Sequence, residues 1–183
     1  MHQTAAEVAV TVSLILSESL EDNPHFAYEP YRDARHDIEM RMKKQFPGVK
    51  VASGAYRTAL VFNDFVVKFS RDEYRQTEIR DEADFINYMR ADEKYGRHFP
   101  ETYVVEVGAA PVLVQEKVNM SHKGVSWTDH NYVETLADRL GISDMHPQNY
   151  GWKGPKGREY PVFVDVDLRH SRGNMPKFRS WHV

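Results

Sequence analysis

Apolar residues recur along the chain with two different periods, and the places where the period changes mark out its elements. Residues 4–20 (TAAEVAVTVSLILSESL) mix helix formers with β-branched residues and predict a first helix. Asn23-Pro24 and Pro30 then mark a loop. Between Tyr31 and Phe46 the residues Ile38, Met40, Met42 and Phe46 lie among many charges, the pattern of a surface helix ending before Pro47-Gly48. From Val49 the pattern becomes strand-like. VKVASGAYRTALVF and FVVKFS flank Asn63-Asp64, so two strands meet at a tight turn, and a further turn at Ser53-Gly54 makes a three-stranded antiparallel meander. Its last strand carries Lys68 between Val67 and Phe69, pointing away from their face. Glu73 to Tyr95 returns to helical spacing, with Phe85, Ile86 and Met89 as an apolar stripe toward the meander. HFPETYVVEV and PVLVQEKV form two more strands joined at Gly108-Ala109-Ala110-Pro111, and the chain leaves the sheet between Glu116 and Met120. Thr128 to Leu140 predicts a helix N-capped by Thr128 or Asp129 and closed by Gly141.

Composition narrows what these elements serve. A chain of 183 residues is long enough to bury a core as one domain with a smaller and a larger lobe. The net charge of −3 argues against general affinity for a nucleic acid backbone, so no nucleic acid partner is expected. The absence of cysteine excludes disulfides, thiolate zinc sites and cysteine nucleophiles, and is compatible with a reducing cytoplasm. The apolar run Val8 to Leu16 lacks a basic flank and is far shorter than the roughly 20 residues of a membrane span. A soluble cytoplasmic protein with no signal peptide and no membrane partner is therefore expected.

Candidate chemistry concentrates between Ile142 and Leu168: ISDMHPQNYGW, a glycine-containing basic turn, then YPVFVDVDL. Pro147 disfavours helical backbone at His146, so Asp144 and Asn149 belong to one folded-back loop. A carboxylate there can take a proton from an attacking hydroxyl, and an amide oxygen can ligate a hard cation. Asp165 and Asp167, two apart on an extended run, put two carboxylates on one side, and a divalent cation between them relieves the repulsion. Asp167 is equally readable as a second ligand or as a solvated acid. His146 reads as a ring that ties the loop, since the nine histidines show no zinc spacing. Lys68 taken alone reads as a solvated gatekeeper on an edge strand. Glu82, one turn from Ile79 and Ile86, can turn inward toward it, with Glu78 as the competing acid. The tail RHSRGNMPKFRSWHV carries Arg169, Arg172, Lys177 and Arg179 and no acid, as a solvated strap, a surface for an acidic protein partner, or a source of positive charge for a transferring phosphate.

A strand lysine, a helix glutamate, a strand leading into a linker, an Asp-x-x-x-x-Asn loop and a strand-terminal Asp occur here in the order found in kinases, and the chain resembles the protein-kinase-like superfamily. DMHPQN and VFVDVD are most similar to the aminoglycoside and choline kinase branch and to the short early protein kinases of tailed bacteriophages. The resemblance, spanning Val49 to Leu168, implies an α+β, two-lobed kinase-like fold. Residues 1–48 form an N-terminal helical extension, 49–118 an N-lobe with a five-stranded antiparallel sheet, and 119–183 a strongly reduced C-lobe with a basic tail. It implies ATP and Mg2+ as cofactors and phosphorylation of protein hydroxyl groups, in the host cytoplasm if the chain is phage-encoded. Lys68 would contact the α- and β-phosphates and pair with Glu82, and Asp144 would be the catalytic base. Asn149, Asp165 and Asp167 would supply the metal site, and Gly54, Ala55 and Tyr56, in the stretch up to Thr58, would cover the phosphates. The backbone from Glu116 to Val118 would hold adenine.

The chain departs from the family at Ile142-Ser143, where protein kinases have His-Arg, at Asp165-Val166-Asp167 in place of Asp-Phe-Gly, and in a phosphate loop with Gly54 alone. Only residues 169–183 follow Leu168, which predicts a minimal substrate side completed by the N-terminal helices. The alternative is a kinase-like protein without turnover that binds and regulates a partner protein.

Overall fold

The computed structural model describes residues 4–22, 31–54, 57–70, 76–107, 110–121, 126–143 and 145–166. The fold is α+β. The chain divides into two compact units, one of Met1–Gly96 with Pro100–Lys117 and one of Arg97–Phe99 with Val118–Val183.

In the first unit, helices α1 (Ala5–Asp22) and α2 (Tyr31–Gln45) precede strands β1 (Lys50–Ser53), β2 (Arg57–Val61) and β3 (Phe65–Ser70). Helix α3 (Gln76–Arg90) follows, then β4 (Thr102–Val107) and β5 (Ala110–Glu116). The five strands make one antiparallel sheet in the order β1-β2-β3-β5-β4. Each face buries a different set of side chains, as the two-residue period of a strand demands. On one face Leu60, Phe65, Val67, Phe69, Val105, Val112 and Val114 meet Val8, Ala9 and Val12 of α1 and Met42 of α2. On the other, Ile79 and Ala83 of α3 pack on Leu113, with Val104 beside them. Phe46, Phe62 and Phe65 close the end of the first core, the last two stacked at 4.2 Å between ring centroids.

β3 is thus the central strand and not an edge, which removes the gatekeeper reading of Lys68. Helix α3 stops at Arg90 and not at Tyr95, because Asp92 takes over the next turn. Its Oδ1 accepts from the backbone N–H of Lys94 at 2.8 Å and of Tyr95 at 2.9 Å, a side-chain turn that competes with helix. Pro111 lies inside β5 and not in the connection; it faces Glu106 of β4, while pairing with β3 begins only at Val112, so no ladder bond to β3 is lost.

In the second unit, helix α4 (Trp127–Leu140) precedes strands β6 (Tyr150–Lys153) and β7 (Tyr160–Phe163). The N-cap of α4 is Ser126, two residues before Thr128 and three before Asp129: its hydroxyl accepts from Asp129 N–H while the Asp129 carboxylate accepts from Ser126 N–H. Gly141, at φ 70°, closes the helix in the left-handed conformation as expected. β6 and β7 form an antiparallel hairpin, and Val118, Val162 and Val164 bury a small core with Tyr160 against it.

Candidate functional site

The first cluster grows from the register of the central strands. The tight turn at Asn63-Asp64 pairs Ala59 of β2 with Lys68 of β3, which in turn faces Leu113 of β5. These opposed residues share the α3 face of the sheet, as does Arg57 two positions from Ala59. Glu82 of α3, flanked by Ile79 and Ile86, comes down on that face fully buried. Lys68, 8% exposed, donates from Nζ to Glu82 Oε1 at 3.4 Å, and the Arg57 guanidinium donates to Glu82 Oε2. One buried carboxylate is therefore shared by two cations. Losing a partner from such a buried pair costs about 3–5 kcal/mol, whereas an apolar replacement of the whole set is often neutral or better.

The second cluster is built by the hairpin in the other unit. Asn149 immediately precedes β6, and Val164-Asp165 immediately follow β7, so the Tyr150–Phe163 pair brings both ends of the hairpin together. The Asn149 carbonyl then accepts from Val164 N–H at 2.9 Å and from Asp165 N–H at 3.2 Å. On the other side, Asn149 N–H donates to the His146 carbonyl at 2.8 Å, tightening the loop around Pro147. Two residues proposed for the metal are side by side for a backbone reason. Their oxygens, an amide and a carboxylate, are the hard donors that magnesium takes. The strand ends at Phe163, so Asp165 stands just past the ladder and not within it. Among the described residues, no group of three or more His, Asp or Glu side chains gathers as a metal site.

The loop is anchored from behind. Tyr150, 1% exposed, shares a hydrogen bond of 2.7 Å between its hydroxyl and His130 Nδ1 on α4. Burial, with the Glu134 charge second, pushes the Tyr150 phenol above its ordinary pKa. Asn119 bridges to Trp152 of β6, with Trp152 N–H donating to the Asn119 carbonyl at 2.8 Å. That approach needs Gly151, since a Cβ there would lie 2.6 Å from the Asn119 oxygen and 2.7 Å from Val118 Cγ1.

Of the other expected residues, Val118 is buried against Val162 and Val164, which precede Asp165. Glu116 ends β5, with its N–H given to the Glu101 carbonyl at 2.8 Å. Gly54 is exposed, and its N–H donates to the Arg57 carbonyl at 2.8 Å to close the β1–β2 turn. Asp144, Ala55, Tyr56, Asp167 and the basic tail lie outside the described residues. Searches of family models and of curated proteins find no match. Arg57, His130 and Tyr150 were not singled out from sequence. Arg57 had a readable signal, because the turn at Asn63-Asp64 and strand alternation already put it on the Lys68 face. The His130–Tyr150 contact joins a helix to a strand across twenty residues and leaves no local pattern.

Proposed function

We propose that the chain is an ATP- and magnesium-dependent phosphotransferase of protein-kinase-like type, two-lobed in architecture, that phosphorylates hydroxyl groups on protein in the cytoplasm. The observation that carries this reading is the buried Lys68–Glu82 pair, with the lysine on the third strand and the glutamate on the helix that follows. A kinase needs an ammonium there, oriented by a helix carboxylate, to receive the α- and β-phosphates. The backbone-pinned Asn149 and Asp165 add support: they supply hard oxygen ligands at the positions of the Asp-x-x-x-x-Asn loop and the strand-end aspartate.

In this reading Lys68 grips the nucleotide phosphates, and Asn149 with Asp165 holds the magnesium, joined by Asp167. Bound magnesium would offset the negative charge of the phosphates. Asp144 accepts the proton of the acceptor hydroxyl and orients it toward the γ-phosphate. Backbone groups from Glu116 to Val118 receive adenine. Most of the rate acceleration comes from positioning and charge stabilisation. Protein is the proposed acceptor because DMHPQN resembles the loop of the short phage protein kinases.

Incubating the purified chain with labelled ATP, magnesium and a cell extract tests this, with label expected in a protein band. Asp144→Ala should cut transfer by about 100-fold to 10,000-fold while leaving the circular dichroism spectrum unchanged. Transfer at the wild-type rate by that variant removes the assignment. Label confined to small molecules moves the acceptor to the aminoglycoside and choline kinase class.

A further inference from the structure

The Tyr150 hydroxyl meets a helix that has supports of its own. Helix α4 is capped at Ser126 and Gly141 and seats Val133, Leu136 and Ala137 in the interior. One turn apart on it stand His130 and Glu134, whose side chains are 34% and 53% exposed. Both nitrogens of the His130 ring are engaged: Nδ1 lies 2.7 Å from the buried Tyr150 hydroxyl and Nε2 lies 3.4 Å from Glu134 Oε1. Turning the ring over would break both contacts, so it has one orientation to offer the phenol. The Tyr150 ring is itself held edge-on to Trp152, with centroids 5.9 Å apart. A chain of polar contacts thus runs from an exposed carboxylate through the imidazole to the buried phenol.

The inner end of that chain adjoins the residues proposed for the metal. Tyr150 shares a peptide bond with Asn149, and the Asn149 carbonyl accepts from the N–H groups of both Val164 and Asp165. Pairing of Tyr150 with Phe163 fixes the register of β6 and β7, but Asn149 and Asp165 stand beyond the strand ends. Packing confines a ring, whereas a hydrogen bond also gives it direction, because its strength falls steeply off axis. We propose that His130 is a positioning residue for magnesium: through the Tyr150 hydroxyl it sets where Asn149 presents its oxygen beside Asp165. This rests on the phosphotransferase reading and adds to it a determinant of metal affinity on a helix that supplies none of the proposed ligands. Groups that orient metal ligands from behind govern affinity or activity by about 10-fold to 100-fold.

Two measurements on the full chain test this: the magnesium concentration that half-saturates transfer from ATP to protein, and backbone hydrogen exchange with neither nucleotide nor metal present. His130→Ala should raise the magnesium requirement about tenfold, with kcat at saturating magnesium within about threefold of wild type. In the same variant the Val164 and Asp165 amides should exchange about tenfold faster, while exchange within the β6–β7 stem stays as it was. His130→Asn, whose side-chain amide can stand where Nδ1 does and can donate or accept, should recover both readouts to within about threefold. In a Tyr150→Phe background His130→Ala should add less than about twofold, because the contact it removes is already gone. A residue that merely supports the helix would lower the urea midpoint without moving the magnesium requirement, and would act equally in both backgrounds. An unchanged magnesium requirement, or unchanged exchange at Val164 and Asp165, in His130→Ala overturns the inference. Should His130→Ala fail to fold, Tyr150→Phe, which keeps the buried ring, decides by the same two readouts. If the wild-type chain transfers no phosphate at any magnesium concentration, the phosphotransferase reading falls and the inference with it; failure of the inference alone leaves wild-type transfer intact.

Discussion

His98 is 2% exposed, with Nδ1 2.7 Å from the Pro161 carbonyl and Nε2 accepting from Arg97 Nε at 3.3 Å. Those partners suit a neutral ring carrying its hydrogen on Nδ1. Burial holds the His98 pKa below its ordinary value; the Pro161 hydrogen bond opposes this and the Arg97 charge adds to it. As pH falls, the unfolded chain therefore binds this proton first, so the stability that His98 contributes is complete above about pH 6.5 and declines below it, until the folded-state pKa is passed. Urea unfolding should show a lower midpoint at pH 5.5 than at pH 7.5, and the difference should shrink in His98→Gln. An equal difference in both proteins would show that other groups carry it. Residue by residue, legibility followed range. Lys68 and Glu82 were readable because a strand and the next helix bring them together, and Arg57 was readable in principle from the hairpin register. His98 packs on Tyr160 and Phe99 on Phe163, contacts some sixty residues apart that no local pattern encodes.

At the scale of elements, two glycines separate backbone need from resemblance. Gly151 in β6 meets backbone and side-chain atoms at 2.6 and 2.7 Å wherever a Cβ is placed, so Gly151→Ala should destabilise the chain by about 1–3 kcal/mol in urea titration. Gly54 has ordinary backbone angles and no atom nearer than 3.8 Å to an added Cβ, so Gly54→Ala should stay within about 0.5 kcal/mol of wild type. If Gly54→Ala leaves stability intact while lowering ATP affinity, its role is in the ligand and not the fold. Helix and strand positions came through from hydrophobic period; their ends did not. Asp92 ended α3 early by bonding its own following amides, and Ser126 rather than Thr128 or Asp129 capped α4, because the box it forms with Asp129 satisfies two amides at once. Capping chemistry is a choice among neighbouring polar residues that apolar spacing does not register.

For the molecule as a whole, the five antiparallel strands and four helices followed from alternation and period, while the order of the strands did not. β5 inserts between β3 and β4 because both its faces are apolar enough to bury, with Val112 and Val114 toward α1 and Leu113 toward α3. That placement turned Lys68 from an expected surface residue into a buried one. Helix α1, expected as part of an N-terminal extension that completes the substrate side, supplies Val8, Ala9 and Val12 to the principal core, and leaves Val10 and Leu14 exposed on its far side. No helix among the described residues is long and apolar enough to cross a membrane.

The β6–β7 hairpin has a practical corollary. Asn149 and Asp165 are held together by the Tyr150–Phe163 end of the stem, whereas residues 154–159 at its tip are all exposed. Gly154 and Gly157, at φ 108° and 82°, turn the chain there without reference to the stem's open end. The length of that tip is therefore decoupled from the spacing of Asn149 and Asp165. A short peptide tag spliced between Pro155 and Lys156 should leave the proposed transfer activity within about twofold of wild type, since lengthening an exposed loop costs little free energy. This hairpin is thus a natural port for fluorophores or affinity handles, and loss of activity on such splicing would show that the tip itself takes part in catalysis.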